Sequence, residues 1–273
     1  MTETPTRTLP NGHIPQIGLG TYQLQGDDAK QSVHAALQSG YEHIDTAEIY
    51  DNQPAIGAAI TDEDRDDLFI TSKTWRNHYT HEQVLTSTDK TLQELDTAYL
   101  DLLLIHWPKD GTDYEAILRA FKKLVDAGTV KNIGVSNFTI KHLKQIIPVA
   151  DRVGIDIAIN QVEFHPYLCQ DDLLDFCEAN NIQLEAYAPI AKGRVADDET
   201  LGEIADNHDK TPVQVALRWA LQHDVVAIPR SSSHDHIDEN IQVFDFELNE
   251  REMQRINNPA RGLRLYDPPF SEF

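Results

Sequence analysis

The chain has 273 residues and carries 23 Lys and Arg against 45 Asp and Glu, a formal net charge of −22. Such a surface repels nucleic acid and anionic membranes, both of which are held by basic patches. No apolar run approaches the roughly 18 residues of a membrane helix, so neither a nucleic-acid nor a membrane partner is expected.

The acid is dispersed (Asp27-Asp28, Asp62 to Asp67, Asp171-Asp172, Asp197-Asp198) rather than gathered in a tail. Two readings stand: a solvated surface of an ordinary soluble protein, or adaptation to a salt-rich, halophilic cytoplasm where salt screens self-repulsion. The two cysteines, Cys169 and Cys177, are placed in one predicted helix, a spacing that suggests neither a disulfide framework nor a metal knuckle. With no basic and apolar leader at Met1–Pro5, a reducing, cytoplasmic location is expected.

In chain order, Thr8–Ile14 comes first, with the Asn11-Gly12 pair of a tight hairpin. Short apolar runs then alternate with helical patterns. The runs predict strands near Gln16–Gly20, Glu42–Asp45, Leu68–Lys73, Leu100–His106, Lys131–Val135, Ala158–Val162, Gln183–Tyr187 and Val225–Ile228. Most lack alternation, as strands buried on both faces do. Between them, Thr80-His81-Glu82-Gln83 reads as a capping box ahead of Val84, Leu85, Thr88, Leu92 and Leu95 on one helix face. Ile117, Leu118, Phe121, Leu124 and Val125 form another face, closed by Gly128. Eight strand–helix units predict an α/β fold, a (β/α)8 TIM barrel. The hairpin is expected to plug its N-terminal end, and Asn257–Phe273 to form an irregular tail over the active site, all as one domain over residues 1–273.

Barrels of this kind place their chemistry at the C-terminal ends of the strands. Asp45, Lys73 and His106 fall at such ends, and Tyr50 follows Asp45 by five residues. Together an acid, a phenol, an amine and an imidazole suit proton transfer. A lysine ammonium lowers a nearby tyrosine's pKa, so Lys73 is expected to outweigh Asp45 in setting the acidity of Tyr50. His106 can orient and donate to the same oxygen. No Gly-x-Gly-x-x-Gly follows the first strand. Instead, Arg230-Ser231-Ser232-Ser233 precedes a helix after the last strand, where barrels hold phosphate, although three serines there also suit a simple cap. The pairs His78/His81 and His234/His236 lack ligand partners, so no metal is expected.

Gly40-Tyr41-Glu42-His43-Ile44-Asp45-Thr46-Ala47-Glu48-Ile49-Tyr50 resembles the signature block of the aldo-keto reductases. Ile133–Phe138, Asn160–Pro166 and Ile228–Ser231 resemble further blocks of that family, in the same order. The resemblance covers essentially the whole chain and is closest to the shorter microbial, 2,5-diketo-gluconate-reductase-like members. It implies reversible, NADPH-dependent reduction of aldehydes and ketones by a tetrad matching Asp45, Tyr50, Lys73 and His106, with Tyr50 as the acid. It also implies that Ser136, Asn137 and Gln161 bind the nicotinamide carboxamide while Tyr187 stacks on the ring. Thr21 and Tyr22 border that end; Arg230, Ser231 and His236 face phosphate; Glu239 and Asn240 meet the adenine. The family often has lysine at Arg230 and arginine at His236, so NADH or dual use is the alternative to NADPH.

A small-molecule carbonyl substrate is expected among Tyr22, Trp75, His106 and Trp107, under Leu265 and Tyr266. The short Trp107–Asp113 stretch leaves no long lid. A monomer is expected, and a non-catalytic nucleotide-binding barrel acting as a regulatory subunit is the rival function.

Overall fold

The computed structural model describes residues 4–257 and 262–273; the outer part of the expected N-terminal segment and residues 258–261 of the expected tail lie outside the described residues. A hairpin of β1 (Thr6–Leu9) and β2 (Gly12–Pro15) comes first. Its connecting pair is Pro10-Asn11 rather than Asn11-Gly12. Gly12, at φ +96°, is already the first residue of β2, paired with Leu9. Glycine accepts that positive φ without the Cβ penalty, so it serves the turn from just outside it.

Eight parallel strands follow: β3 (Leu19–Gly20), β4 (His43–Asp45), β5 (Phe69–Thr74), β6 (Leu100–Ile105), β7 (Val130–Ser136), β8 (Ile157–Glu163), β9 (Gln183–Tyr187) and β10 (Val226–Ile228). They pair in sequence order from β3 to β10. Gly18 N donates to Ala227 O (2.9 Å), Ala227 N to Gln16 O (2.9 Å) and Gly20 N to Pro229 O (3.0 Å), which bring the last strand back to the first. The result is the expected (β/α)8 barrel.

The helices form the outer wall, from α1 (Gly26–Gln38) and α2 (Gln53–Ile60) through α5 (Ile140–Val153) and α7 (Glu199–His208) to α10 (Glu250–Ile256). α3 (His81–Glu94) carries the predicted capping box at Thr80 and Gln83, and α4 (Tyr114–Asp126) buries Ile117, Leu118, Ala120, Phe121 and Leu124. α6 (Asp171–Ala179) starts later than expected. Gln170 Nε2 donates to Glu163 O at 2.6 Å and ties the chain back to the end of β8, so Cys169 lies before the helix and only Cys177 within it. Both are free thiols.

Inside the barrel, Leu9 and Ile14 of the hairpin pack with Phe69, Leu102, Leu104, Ala158, Ile159 and Val226. That apolar cluster is the plug expected for the N-terminal end. Toward the strands' C-terminal ends the inward positions become polar: His43, Thr71 and Glu185, then Asp45, Lys73 and Gln161, all buried. Alternation of side chains across a strand puts residues two apart on the same face, which stacks these layers. Among the described residues no helix is long and apolar enough to cross a membrane.

Candidate active site

One cavity of about 1140 Å³ opens at this polar end. Asp45, Tyr50 and His106 lie on its wall, and Lys73 stands directly behind Asp45. Asp45 closes β4, and Lys73 comes from the next strand, β5. Lys73 Nζ donates to Asp45 Oδ1 at 2.6 Å and to Thr46 O at 2.9 Å. Tyr50 ends a single 3₁₀ turn, Glu48–Tyr50, so its ring swings back over the strand ends. The Lys73 ammonium lies 5.1 Å from the Tyr50 ring centroid, and the Tyr50 and His106 rings are 5.7 Å apart, edge to face.

The electrostatics differ from the sequence-based expectation. Burial raises the Tyr50 phenol well above its usual value of 10, and the Asp45 charge adds to the rise. Lys73 does not reverse this, because its charge is taken up by Asp45 and the Thr46 carbonyl. Tyr50 is therefore a firmly protonated phenol. Burial, then the Lys73 charge, also holds the His106 imidazole well below 6.5, so it is neutral. Its Nδ1 is buried with no hydrogen-bond partner among the described residues. Burial raises the Asp45 carboxyl, opposed by the charge and hydrogen bond of Lys73.

A second group lines the cavity beside these residues. Ser136 Oγ donates to Gln161 O (2.9 Å), Asn137 Nδ2 to His106 O (3.0 Å), and Tyr187 Oη to Asn137 Oδ1 (2.8 Å). Asn137 holds φ +63° directly after β7, a left-handed conformation that asparagine tolerates better than most residues. At the far end, Arg230, Ser231, Ser232, Ser233 and His236 line the same space. Ser233 caps α9 (His234–Ile241), whose N-terminal amides carry partial positive charge.

Besides Lys73, three expected residues are not on the cavity wall. Thr21 is fully buried and its Oγ1 donates to Asp45 O at 2.9 Å, so it supports the acid from behind. Glu239 accepts from Thr211 Oγ1, the cap of α8 (Pro212–Gln222), and Asn240 is buried. Both are held by packing between α8 and α9. Tyr22, Trp75 and Trp107 do line the cavity, as do Leu265, Tyr266 and Phe270 of the tail. Phe270 meets Trp107 edge on at 5.4 Å, and Tyr266 meets Tyr187 at 5.5 Å.

Sequence reasoning passed over Gln23, Ala188, Lys192 and Gly193 on the wall, and Glu163 and Glu185 beneath it. The two glutamates had a signal. Glu163 lies two residues after Gln161 and Glu185 two before Tyr187, hence on the same inward faces. Among the described residues no cluster of His, Cys, Asp and Glu is suited to a metal ion, and the paired histidines form none.

Comparisons with known proteins place the chain in a family. A model of the Aldo/keto reductase family matches residues 16–260. Glyoxal reductase of Bacillus subtilis (strain 168) is 44% identical over 269 residues, 97% of this chain and 96% of that protein. Among solved structures, the aldose reductase of Schistosoma japonicum superposes with a TM-score of 0.90 at 35% identity, covering 96% of this chain and 94% of that one. The aldo-keto reductase MGS-M4, from a Medee basin deep-sea metagenome library, gives 0.88 at 40% identity, covering 95% and 96%. With a matching family over almost the whole barrel and reductases on every side of it, this chain belongs to the aldo/keto reductase family and is an oxidoreductase.

Proposed function

We propose that the chain is a single-domain, NADPH-dependent reductase of small aldehydes and ketones, with Tyr50 as the proton donor. The observation that carries this reading is one continuous cavity with Tyr50, His106 and Asp45 at one end and Arg230, Ser231 and the start of α9 at the other. The donor set fits a dinucleotide: a guanidinium, hydroxyls and helix amides for phosphate, and Ser136, Asn137 and Gln161 beside the Tyr187 ring for a carboxamide. When bound, the reduced nicotinamide supplies a hydride to the carbonyl carbon.

The chain's own residues do the rest. Tyr50 gives its phenolic proton to the carbonyl oxygen as negative charge develops there. Burial keeps that proton on Tyr50 until then, so none is lost to solvent beforehand. Neutral His106 donates a hydrogen bond to the same oxygen. Its unpartnered Nδ1 favours the tautomer with the proton on Nε2, since an orphaned N–H is costlier to bury than a bare lone pair. Lys73, fixed by Asp45 and Thr46, stabilises the phenolate that Tyr50 becomes as it gives up its proton. Tyr22, Trp75 and Trp107 with the tail residues enclose the substrate.

Arg230 can grip a 2′-phosphate through its planar fork, while His236, exposed and lacking that fork, adds less. NADPH is the cofactor assigned, with NADH or dual use as the alternative. The large apolar side chains left exposed among the described residues are Tyr22 and Ile49, both on the cavity wall, which supports a monomer. The free thiols are in keeping with the cytoplasm. Relatives named as reductases favour this reading over a regulatory barrel.

Tyr50→Phe tests it. Turnover of an aldehyde such as glyoxal is expected to fall at least about 100-fold, the scale of a lost general acid, while NADPH still binds. Turnover retained in the variant would remove Tyr50 from its role.

A further inference from the structure

At the wall of the cavity Asp45 pairs with the Lys73 ammonium, and a second carboxyl, Glu185, lies behind it. Glu185 of β9 is completely buried, and its Oε2 accepts from Gln161 Nε2 at 2.6 Å. The same nitrogen donates to Asp45 Oδ2 at 2.8 Å. The Lys73 ammonium gives its hydrogen bonds to Asp45 and the Thr46 carbonyl. Glu185 Oε1 has no hydrogen-bond partner among the described residues, and His43 Nε2 stands 3.7 Å from it. That contact is no ion pair: burial, then the Lys73 charge, lowers the His43 imidazole to about 3, leaving it neutral.

Two buried carboxyls bridged by one amide nitrogen, with a single ammonium bonded to one of them, do not both ionise near neutrality. Asp45 holds the cation, so Glu185 holds the proton. Burial, joined by the Asp45 charge, pushes the Glu185 carboxyl up to about 8. The groups facing it are His43 and Asp45 from β4, Lys73 from β5 and Gln161 from β8. The β10 residue paired with it is Val226, and α6 packs outside β9 with its acids Asp171, Asp172, Asp175 and Glu178 exposed. On β9 itself, Tyr187 is two residues on and shares the inward face.

This arrangement couples Glu185 to whatever occupies the cavity. Both N–H bonds of Gln161 are used on the two carboxyls, which leaves its Oε1 for a ligand. Tyr187 and Gln161 both lie on the cavity wall, so Glu185 is one side chain away from it. Resting on the nicotinamide reading above, we propose that Glu185 is a proton-linked sensor of cofactor redox state. Its carboxyl gives up a proton to solvent when an oxidised, cationic nicotinamide binds, and keeps it when the reduced, neutral ring binds.

The sign follows from charge. A cation favours the carboxylate, so oxidised-cofactor affinity rises with pH through the ionisation of Glu185, while reduced-cofactor affinity does not. In a poorly screened interior a unit charge at this remove lowers the ionisation by about one pH unit, which is a tenfold rise in affinity. The protein thus releases oxidised product more readily at lower pH.

Isothermal titration calorimetry with NADP+ and with NADPH, in two buffers of different ionisation heat, measures the protons released. The 2′-phosphate is common to both nucleotides and cancels in the difference. Wild type is expected to release about 0.4 proton more with NADP+ than with NADPH at pH 8, and less than about 0.1 at pH 6. Glu185→Gln, or Glu185→Met if that variant does not fold, is expected to erase the difference. Both nucleotides binding with no difference in wild type, or with the same difference in the variant, overturns the proposal alone. Failure of either nucleotide to bind overturns the nicotinamide reading, and this inference with it.

Discussion

Glu163, fully buried at the end of β8, shows how a single side chain secures the roof of the cavity. Its Oε1 accepts from Leu265 N at 2.7 Å and its Oε2 from Tyr266 N at 2.9 Å, while His165 Nε2 lies 2.9 Å from Oε1. Both oxygens are thus used on the tail that carries Tyr266 over Tyr187. In Glu163→Gln one oxygen becomes an NH₂ that confronts a backbone N–H, so a hydrogen bond is replaced by two opposed donors. The variant is expected to lose about 1–3 kcal/mol of stability. Its KM for the carbonyl substrate should rise several-fold with kcat little changed, and hydrogen exchange at Leu265 and Tyr266 should accelerate. Unchanged exchange at those two amides would show that Glu163 does not hold the tail. Asp45, Tyr50, Lys73 and His106 were legible in the sequence because three unlike reactive groups fall at the ends of apolar runs and a fourth, Tyr50, follows Asp45 by five residues. Glu163 and Glu185 were not, because the partners that give them meaning are the distant tail amides and the opposite side of the barrel. The acidity of Tyr50 was misjudged for a related reason. Spacing shows that Lys73 is near, but only the fold shows its charge absorbed by Asp45 and the phenol buried.

At the scale of elements, strand order and type could be read from short apolar runs, but register could not. Ile133 of β7 pairs with Ile157 of β8, whereas Gly134 pairs with Ile159, so one extra residue enters β8 between them. That bulge sets Ser136 opposite Gln161 instead of Asn160, which brings two of the proposed carboxamide ligands side by side. The glycine makes it possible. A Cβ at Gly134 would lie 2.6 Å from Ile159 O and 2.8 Å from Leu104 Cδ2, and the carbonyl belongs to the strand ladder and cannot yield. Gly134→Ala is expected to cost about 1–3 kcal/mol in denaturant unfolding, the usual range for overpacking. Nucleotide affinity should drop with it, since Ser136 and Gln161 shift together. A variant as stable as wild type would mean that the bulge relaxes freely and does not fix the register. The delayed start of α6 belongs to the same class of effect, because the hydrogen bond from Gln170 to Glu163 O that postpones it crosses from loop to strand.

For the whole molecule the dominant quantity is the acidic excess, 45 Asp and Glu against 23 Lys and Arg. Surface pairs such as Lys90–Glu94 and Arg119–Glu115 offset little of it, since exposed pairs contribute about 0–1 kcal/mol each. The buried pair Lys73–Asp45 is internally neutral and sits in the interior, where solvent ions screen it weakly. The long-range balance on the surface is therefore net repulsion, which opposes the compact state most strongly at low ionic strength. Raising salt from about 0.01 to 1 M shortens the screening length from about 30 to 3 Å, enough to silence repulsion between neighbouring acids. The thermal midpoint is expected to climb by roughly 5 °C or more over that range, a gain of about 3 kcal/mol for a chain of this size. Most of the climb should come below about 0.5 M KCl, where screening changes fastest. A midpoint that stays flat would show that the acids are locally compensated and that the surface is merely hydrated. A midpoint that rises only beyond 1 M would assign the effect to exclusion of salt from the protein surface rather than to charge. The early, saturating rise is the outcome that identifies self-repulsion among the surface acids as the force that salt relieves.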